Sequence, residues 1–499
     1  MVLTNPTTNT LDADLHSVPT VHVNPPASAA IKEYAAKGDA TVTLTQGNQT
    51  SDTIAYPQIA TFSGRGPALL TGGDTLKPDL VAPGVSILGA VAPSSNGGQS
   101  FAFRSGTSQA APQVAGLAAL MYGAGVHPDW SPMQVKSALM TTAKDLQDAK
   151  GRRVTNPFAQ GAGRVDPTAM LKPGLVFPAG LVDWFGYLEG LGVNTDSGLT
   201  AIDPSDYNAP SIAIGRLAGS QTVTRKVTAV QAGRYRASVS ASGLRVRVSP
   251  TVLKLRKGET KKVTITITRT KAKLDEASSG FVTWKGEHAR VRIPLVVTPR
   301  DLDAPAQLTG SSAANKLRYS VRPGLSGRFT ATGTGLSAGD PITPMQPIPE
   351  GANEQYPVEV PADTKVARFT ARAASAQAKL NLYVFQILPD DSYTLVARSS
   401  APAANQSLVL VKPAAGIYVA AVENAGNAPG TPSTMFEYRT GLAVPGSGLG
   451  DFTVSPASRT VVAGQPHRLT ARWSGLSAEV PYVGWVEYPN GTGTVITLN

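Results

Sequence analysis

The chain has 499 residues, including 49 Gly, 39 Pro and no Cys, and this length favours about three domains. Its 41% of hydrophobic residues is too many for a disordered chain, and its Gly and Pro content is too high for a helical bundle. The lack of Cys excludes thiol nucleophiles, iron–sulfur clusters and Cys-based zinc sites. The net charge is +11.

Export and membrane insertion have little support within the chain. The two longest uncharged runs, 80–103 and 105–128, are interrupted by Gly, Pro, Ser and Gln, so we expect no membrane span. No Lys or Arg precedes Lys32, so the basic segment of a signal peptide is missing. Because Met1–Thr4 already predicts a strand, we expect the chain to begin within a domain.

The first 45 residues mix short strands with one helix. The predicted strands are Met1–Thr4, Thr20–Val23 and Ala40–Leu44, and the predicted helix is Ser28–Ala36. Such a mixture is typical of a fragment of a small α/β domain.

Two strong helices are predicted between residues 52 and 175. The first, Ser108–Met121, consists almost wholly of small and apolar residues, so we expect it to be buried on most sides. Its Pro112 would be tolerated only in the opening turn. The second helix follows a capping residue, Ser131, and carries apolar residues at helical spacing. These are Val135, Ala138, Leu139 and Ala143.

The chain becomes all-β after Phe177. Alternating strands separated by Gly-containing turns indicate β-sandwiches. They are predicted at 222–230, 235–239, 244–249, 262–267, 281–284 and 289–297, then at 367–371, 379–385, 394–398, 407–411 and 417–422. A linker is predicted at 301–305 and a Gly/Pro/Ser-rich boundary at 444–450. The last segment, 451–499, ends on a strand, so we expect it to be incomplete.

The positive charge is concentrated in one β-rich region. Between Arg216 and Arg292 there are 18 basic and four acidic residues. One interpretation is attraction to a polyanion such as a nucleic acid or an anionic cell envelope. The favoured interpretation is a solvated strand face, because Arg245 and Arg247 alternate with Val residues, and Lys254 alternates with Leu residues.

Ser108 is the candidate catalytic residue. It stands at the predicted N-terminus of a helix, directly after Gly106 and Thr107. The positive end of a helix dipole and its unpaired N–H groups suit an oxyanion that forms beside such a Ser. Taken alone, a Ser at a helix start is usually only a cap.

The complete string favours catalysis. Ser105–Gly116, SGTSQAAPQVAG, resembles the nucleophile signature of the subtilisin-like serine peptidases (subtilases). Four further stretches resemble that family in its own order: Ala60–Pro67, Lys77–Gly84, Trp130–Ala143 and Asn156–Pro167. The resemblance is to the large multidomain secreted type, and it implies that Ser108 is the nucleophile.

This resemblance implies a multidomain fold, in which a partial α/β catalytic domain with a parallel sheet and helices precedes all-β sandwich domains. The implied divisions are a protease-associated remnant at 1–45, the C-terminal half of a catalytic domain at 46–178, a linker at 179–205, a fibronectin type III-like sandwich at 206–299, an accessory sandwich at 300–447 and a short β domain at 448–499. With half of the catalytic domain absent, we expect residues 1–175 to be poorly stable alone.

The other two members of the catalytic triad are not found. A Ser nucleophile needs a base and a group that orients it, and in subtilases the order is Asp, His, Ser. None of the five His residues, His16, His22, His127, His288 and His467, lies in the family's His-Gly-Thr-His context. Asp12 and Asp14 are interpreted as loop caps. Residue by residue, only Ser108 is carried over.

The sequence thus predicts the C-terminal portion of a secreted subtilisin-like serine endopeptidase that acts on protein or peptide substrates and is inactive alone. The alternative is a non-catalytic binding protein whose sandwiches contact a cell envelope, a protein or a polyanion. A different serine hydrolase is disfavoured because Ser108 lacks a Gly-x-Ser-x-Gly elbow. No cofactor is identified, calcium is implied by the resemblance only, and no nucleic acid partner is expected.

Overall fold

The computed structural model describes residues 1–9, 11, 16–43, 55–123, 126–478 and 480–499. These residues form two compact units, Met1–Arg300 and Asp301–Asn499. Asp12, Asp14 and Leu44, on which sequence-based interpretations rested, lie outside the described residues.

The first residues form a small parallel pair of strands and a helix. The elements are β1 (Val2–Thr4), β2 (Val21–Val23) and α1 (Ala27–Ala35). They confirm the predicted strands and helix to within a residue or two. Residues 40–43 are irregular, so the strand predicted at 40–44 is wrong over its described part.

Residues 55–178 are mainly loops and helices. Their elements are β3 (Ile87–Ala90), β4 (Phe101–Arg104), α2 (Thr107–Gly123), α3 (Pro132–Thr141), α4 (Pro157–Gln160) and β5 (Leu175–Val176). The parallel sheet implied for this region is not seen in its described part. Strands β3 and β4 pair as an antiparallel hairpin, and Val81, in the Lys77–Gly84 stretch, makes a single parallel bridge to Arg164.

Helix α2 departs from the expectation of burial on most sides. Among its residues only Met121 is buried, and Leu120 is half exposed. Small and apolar residues predict burial only when a partner covers each face, and the described residues cover one. Pro112 stands one turn later than expected, where its missing N–H leaves the carbonyl of Ser108 without its helical donor.

Helix α3 follows the sequence closely. Ser131 and Gln134 form a capping box, in which each side chain bonds the backbone N–H of the other residue. The predicted apolar residues are buried, as Val135 and Leu139 illustrate. Val135 and Leu139 pack with Val176 of β5 in one cluster, so this helix connects residues 126–178 with the sandwich that follows.

Residues 206–300 form a sandwich, here called the first sandwich. Its strands are β6 (Ile212–Ala218), β7 (Ser220–Ala229), β8 (Gly233–Ala241), β9 (Leu244–Ser249), β10 (Val252–Leu255), β11 (Thr260–Arg269), β12 (Ser278–Lys285) and β13 (Arg290–Arg300). One sheet has the order β10-β8-β12-β13-β6, and the other has the order β5-β7-β11-β9.

The segment before the first sandwich belongs to it structurally. Strand β5 pairs with β7, and Leu175 and Phe177 lie inside the sandwich core. The predicted linker 179–205 contains a helix, α5 (Leu181–Gly190). Its role as a linker between domains stays a prediction.

The second unit contains two interleaved sandwiches. Its strands are β14 (Leu302–Asp303), β15 (Gln307–Gly310), β16 (Lys316–Pro323), β17 (Gly327–Thr330), β18 (Thr332–Ser337), β19 (Ile348–Pro349), β20 (Asn353–Val360), β21 (Val366–Ala373), β22 (Lys379–Ile387), β23 (Tyr393–Ala403), β24 (Asn405–Val411), β25 (Gly416–Gly426), β26 (Ser433–Thr434), β27 (Phe436–Ala443), β28 (Thr453–Ser455), β29 (Ser458–Val461), β30 (His467–Arg472), β31 (Tyr482–Glu487) and β32 (Gly493–Leu498).

The division predicted at residue 447 does not match this topology. Strands β28 to β32 pair with β14 to β18, so residues 448–499 complete a sandwich that begins near residue 302. Strands β19 to β27 form a second sandwich inserted between its two halves. Sequence alternation finds the strands but not their partners, because strand pairing across 150 residues leaves no local signal.

Candidate active site

Ser108 is the second residue of α2 and is exposed. The N–H groups of the first helical turn have no partner within the helix, and those of Thr107 and Ser108 lie in this turn. The helix dipole adds partial positive charge at the same place. This position allows an oxyanion beside Ser108 Oγ to be stabilised by backbone donors.

A tight turn fixes the start of α2. The N–H of Gly106 donates to the carbonyl of Gly84 at 2.8 Å, and the N–H of Ser86 donates to Ser105 Oγ at 2.9 Å. A Cβ on Gly84 would lie 2.7 Å from the Gly106 oxygen and 3.0 Å from Ala110 Cβ. Gly84 is therefore required for the close approach that positions Ser108.

The five stretches that carry the sequence signature are in contact with one another. The N–H of Gly66 donates to the carbonyl of Phe158 at 3.0 Å, joining the first stretch to the last. Val81 exchanges backbone hydrogen bonds with Gly163 and Val165, both at 2.9 Å. Stretches far apart in sequence thus converge beneath α2.

An ion pair ties this assembly to helix α3. Asp79 accepts from Lys136 at 2.9 Å and from Lys77 at 2.7 Å. Burial alone would raise the pKa of Asp79, but the charges of Lys136 and Lys77 outweigh it and lower the pKa. Asp79 is therefore ionised at neutral pH, and it links the Lys77–Gly84 stretch to the helix behind it.

A cavity of about 740 Å³ adjoins the first turn of α2. Its walls come from 56–65 and 77–85 and from helix residues that include Thr107, Ala111 and Val114. Most of the lining is apolar, and its charged residues are Arg65, Lys77 and Arg164. Thr107, which precedes Ser108 in the chain, thus lines a mainly apolar cavity.

No hydrogen bond joins Ser108 to any of the five His residues, all of which lie in the described part of the chain. The rings of His16 and His22 contact each other, with their Nε2 atoms 3.1 Å apart. His127 bonds the Leu171 carbonyl and stacks on Trp130. His288 lies in an exposed hairpin of the first sandwich, and His467 belongs to β30 in the second unit.

Two arginines of the basic region, Arg225 and Arg292, are buried, although the sequence predicts a solvated strand face there. Arg225 donates to the carbonyls of Thr224, Ser205, Ser211 and Ala209, at 2.7 to 3.0 Å. Burial lowers its pKa to about 10, so Arg225 stays charged at neutral pH. The sequence does contain a signal for this burial, because Arg225 lies two residues from both Val223 and Val227 and so shares their inward face of β7.

Arg292 connects residues 143–162 with the first sandwich. From β13 it donates to Asp145 at 2.7 Å and to the carbonyls of Ala143 and Ala162 at 3.0 and 2.9 Å. Its guanidinium lies 4.3 Å from the centre of the Phe281 ring. No pattern in the sequence signals this role, since Arg292 occupies an outward strand position that another region happens to cover.

Within the described ranges, no group of three or more His, Asp or Glu side chains is arranged to hold a metal ion. The helices of the described residues are all too short or too polar to cross a membrane.

Comparison with known proteins agrees with the sequence signature. Residues 24–163 match the model of the subtilase family, and residues 206–297 match the fibronectin type-III domain. The subtilase match begins inside the segment 1–45, whose assignment to a protease-associated remnant stays a prediction.

Curated relatives include plant subtilases. The chain is 38% identical over 278 residues to subtilisin-like protease SBT2.5 of Arabidopsis thaliana, covering 48% of this chain and 34% of the relative. It is 36% identical over 337 residues to SBT1.3 of the same plant, covering 60% of this chain and 43% of the relative. The chain thus spans less than half the length of these relatives.

Among solved structures, tripeptidyl peptidase 2 matches 79% of this chain and 32% of its own, at 16% identity and a TM-score of 0.25, which is too low to support an argument about fold. The family matches and the relatives carry the assignment instead. The chain thus contains a segment similar to the subtilase family, residues 24–163, and a segment similar to the fibronectin type-III domain, residues 206–297.

Proposed function

We propose that this chain is the C-terminal portion of a secreted subtilisin-like serine endopeptidase and that Ser108 is its nucleophile. One observation supports this most directly: the exposed Ser108 stands at the N-terminus of α2, on a turn held by Gly84 and Gly106. The subtilase match and the convergence of the five signature stretches support it further.

In the proposed reaction, Ser108 Oγ attacks the carbonyl carbon of a peptide bond while a His base takes its proton. The N–H groups of the first turn of α2 bind the oxyanion. The C–N bond then breaks, and the amine leaves with the proton returned by the base. Water hydrolyses the resulting ester and regenerates the Ser108 hydroxyl.

The 499-residue chain alone is proposed to be inactive. Among the described residues no His forms a hydrogen bond with Ser108, so the chain shows no base for this hydroxyl. Loss of the base costs roughly 10⁶ in turnover, the magnitude established for subtilisin. Cleavage of casein by this chain that disappears in Ser108→Ala would contradict the proposed inactivity while supporting Ser108 as nucleophile.

The decisive experiment sequences the DNA upstream of the Met1 codon and expresses the protein with any in-frame extension. We expect Asp-Thr-Gly or Asp-Ser-Gly, then His-Gly-Thr-His, behind a signal peptide. The extended protein should cleave casein, and Ser108→Ala should abolish the cleavage. Ser95→Ala, a surface Ser outside the signature, is the matched control and should retain activity. Full activity of the extended Ser108→Ala variant would refute the proposal.

A further inference from the structure

One outer surface of the first sandwich carries a group of five exposed basic side chains, here called the basic face. The strand alternation places them opposite the core-facing residues of the same strands, such as Tyr235 and Trp284. The five are Arg234 and Arg236 on β8, Lys254 on β10, Lys285 on β12 and Arg290 on β13.

These residues are aligned across strands with like charges directly opposite. Lys285 is in register with Arg236 on one side and with Arg290 on the other, giving a row across three strands. Lys254 is in register with Arg234 on the neighbouring pair. Directly opposite like charges destabilise a sheet, so this arrangement has a cost in the free energy of folding.

Nothing in the described part of the chain offsets that cost by ion pairing, since none of the five forms a salt bridge there. The nearest acidic residue in the sequence, Glu287, lies in the turn between β12 and β13, is highly exposed and faces His288 at 3.6 Å. Arg292, two residues after Arg290, does have a carboxylate partner in Asp145.

The other sheet of the same sandwich shows the contrast. Arg245 and Arg247 on β9 are also exposed, but they face Thr268 and Thr266 on β11. Lys226 on β7 faces Lys262, and it forms a salt bridge with Asp183 at 3.2 Å. An unneutralised row of like charges is therefore a property of the basic face rather than of every strand in this domain.

An external anion would neutralise the row. Neighbouring strands lie about 4.8 Å apart, so the three-strand row presents cations at a regular short spacing. A polymer with a negative charge on each repeating unit can contact several of them at once, and such contacts add. A single small anion would neutralise only one pair.

The chemistry of the face favours a polysaccharide over a nucleic acid. Single-stranded nucleic acids bind on exposed aromatic side chains that stack with bases. The aromatic residues of β12, Phe281 and Trp284, are both buried. We propose that the basic face binds an anionic polysaccharide through its carboxylate or sulfate groups, independently of the peptidase site.

The test measures binding of the full 499-residue chain to polygalacturonate, heparin, neutral dextran and single-stranded DNA at low and high ionic strength. We expect binding to one or both anionic polysaccharides, weakening with salt, and none to dextran. Polygalacturonate and heparin distinguish carboxylate from sulfate recognition.

The paired variants decide whether the face itself is responsible. Arg236→Gln/Lys285→Gln should weaken binding about tenfold, whereas the control Arg245→Gln/Arg247→Gln removes the same charge and should stay within about twofold. The melting temperature of the first variant should be equal or higher, because a repulsion is removed. Equal weakening in both variants, tighter binding to DNA than to either polysaccharide, or no binding to any polymer would overturn the proposal.

Discussion

Residues 55–123 and residues 126–178 differ sharply in how well their apolar side chains are covered. In residues 55–123 many large apolar side chains are exposed, including Leu70 at 98%, Leu69 at 84% and Phe101 at 62%. In residues 126–178 most large apolar side chains are buried, with Leu139 at 3% and Phe177 at 0% exposure. The match to the subtilase family covers most of both halves, so this similarity does not explain the difference.

The difference comes from the first sandwich. Phe177 packs in its core, and Val176 packs with helix α3 and Val230. In the earlier half Leu76 packs against Ala213 and Val296 of the first sandwich, but Leu69, Leu70 and Phe101 remain exposed. Local sequence decides which elements form, but burial depends on which neighbour is available. The low stability expected for residues 1–175 stays a prediction. Because the exposed apolar side chains lie mainly before residue 124, we expect the low stability in that part.

The largest expected effect tests this contrast directly. Phe177→Ala removes a buried ring that contacts Trp284 edge to face, so we expect a loss of about 3–5 kcal/mol in the free energy of unfolding. The control Leu120→Ala, on a half-exposed helix face, should cost less than about 0.5 kcal/mol. Hydrogen exchange with mass spectrometry measures both locally. Equal effects would break the contrast.

The next largest effect concerns the link between the two regions. Arg292→Ala leaves two buried carbonyls without their donor and removes one of the two arginines that pair with Asp145, the other being Arg153, so we expect a loss of about 3 kcal/mol. Arg290→Ala, on the same strand but exposed, should change stability by less than about 0.5 kcal/mol. Protection of residues 143–163 and of β13 against hydrogen exchange should fall together in Arg292→Ala. A loss confined to β13 would show that the regions unfold independently.

A smaller effect is expected at the turn before Ser108, which is tight although α2 is exposed. Gly84→Ala should destabilise the turn by about 1–3 kcal/mol, because its Cβ would meet the Gly106 oxygen. Gly116→Ala, in the same helix with open space around it, should stabilise α2 by up to about 1 kcal/mol. Opposite signs in the hydrogen exchange of α2 would confirm the distinction, and a neutral Gly84→Ala would contradict it.

The smallest effect is a pH dependence at Asp79. Its pKa in the folded chain is below its ordinary value of 3.8, so its ion pairs stabilise the fold above that pH and are lost as the pH falls through the lowered pKa. Asp79→Asn should therefore cost about 1 kcal/mol or less at pH 7 and nothing at strongly acidic pH. Thermal melts of both proteins between pH 2 and 7 measure this, and a constant difference across that range would refute it.

The sequence predicted the local features well. Helix α3 was predicted from Ser131 and its apolar spacing, and Ser108 was placed at a helix start from one string. Features that depend on distant partners were not predicted. The sequence places Leu175 and Phe177 at the end of the predicted catalytic domain, 46–178, because no local pattern indicates that they enter a sandwich core. The covered position of Arg292 and the pairing of 448–499 with 302–337 are hidden for the same reason.

Strand β5 and Phe177 also show where the folded unit of the first sandwich begins. The fibronectin type-III match begins at residue 206, but the edge strand and a central core residue of the first sandwich come from before residue 178. A gene segment that encoded 206–297 alone would leave a hole in its core and an unpaired strand edge. A unit with an intact core would therefore have to begin before residue 175, so the boundary of the sequence match is not the boundary of the folded unit.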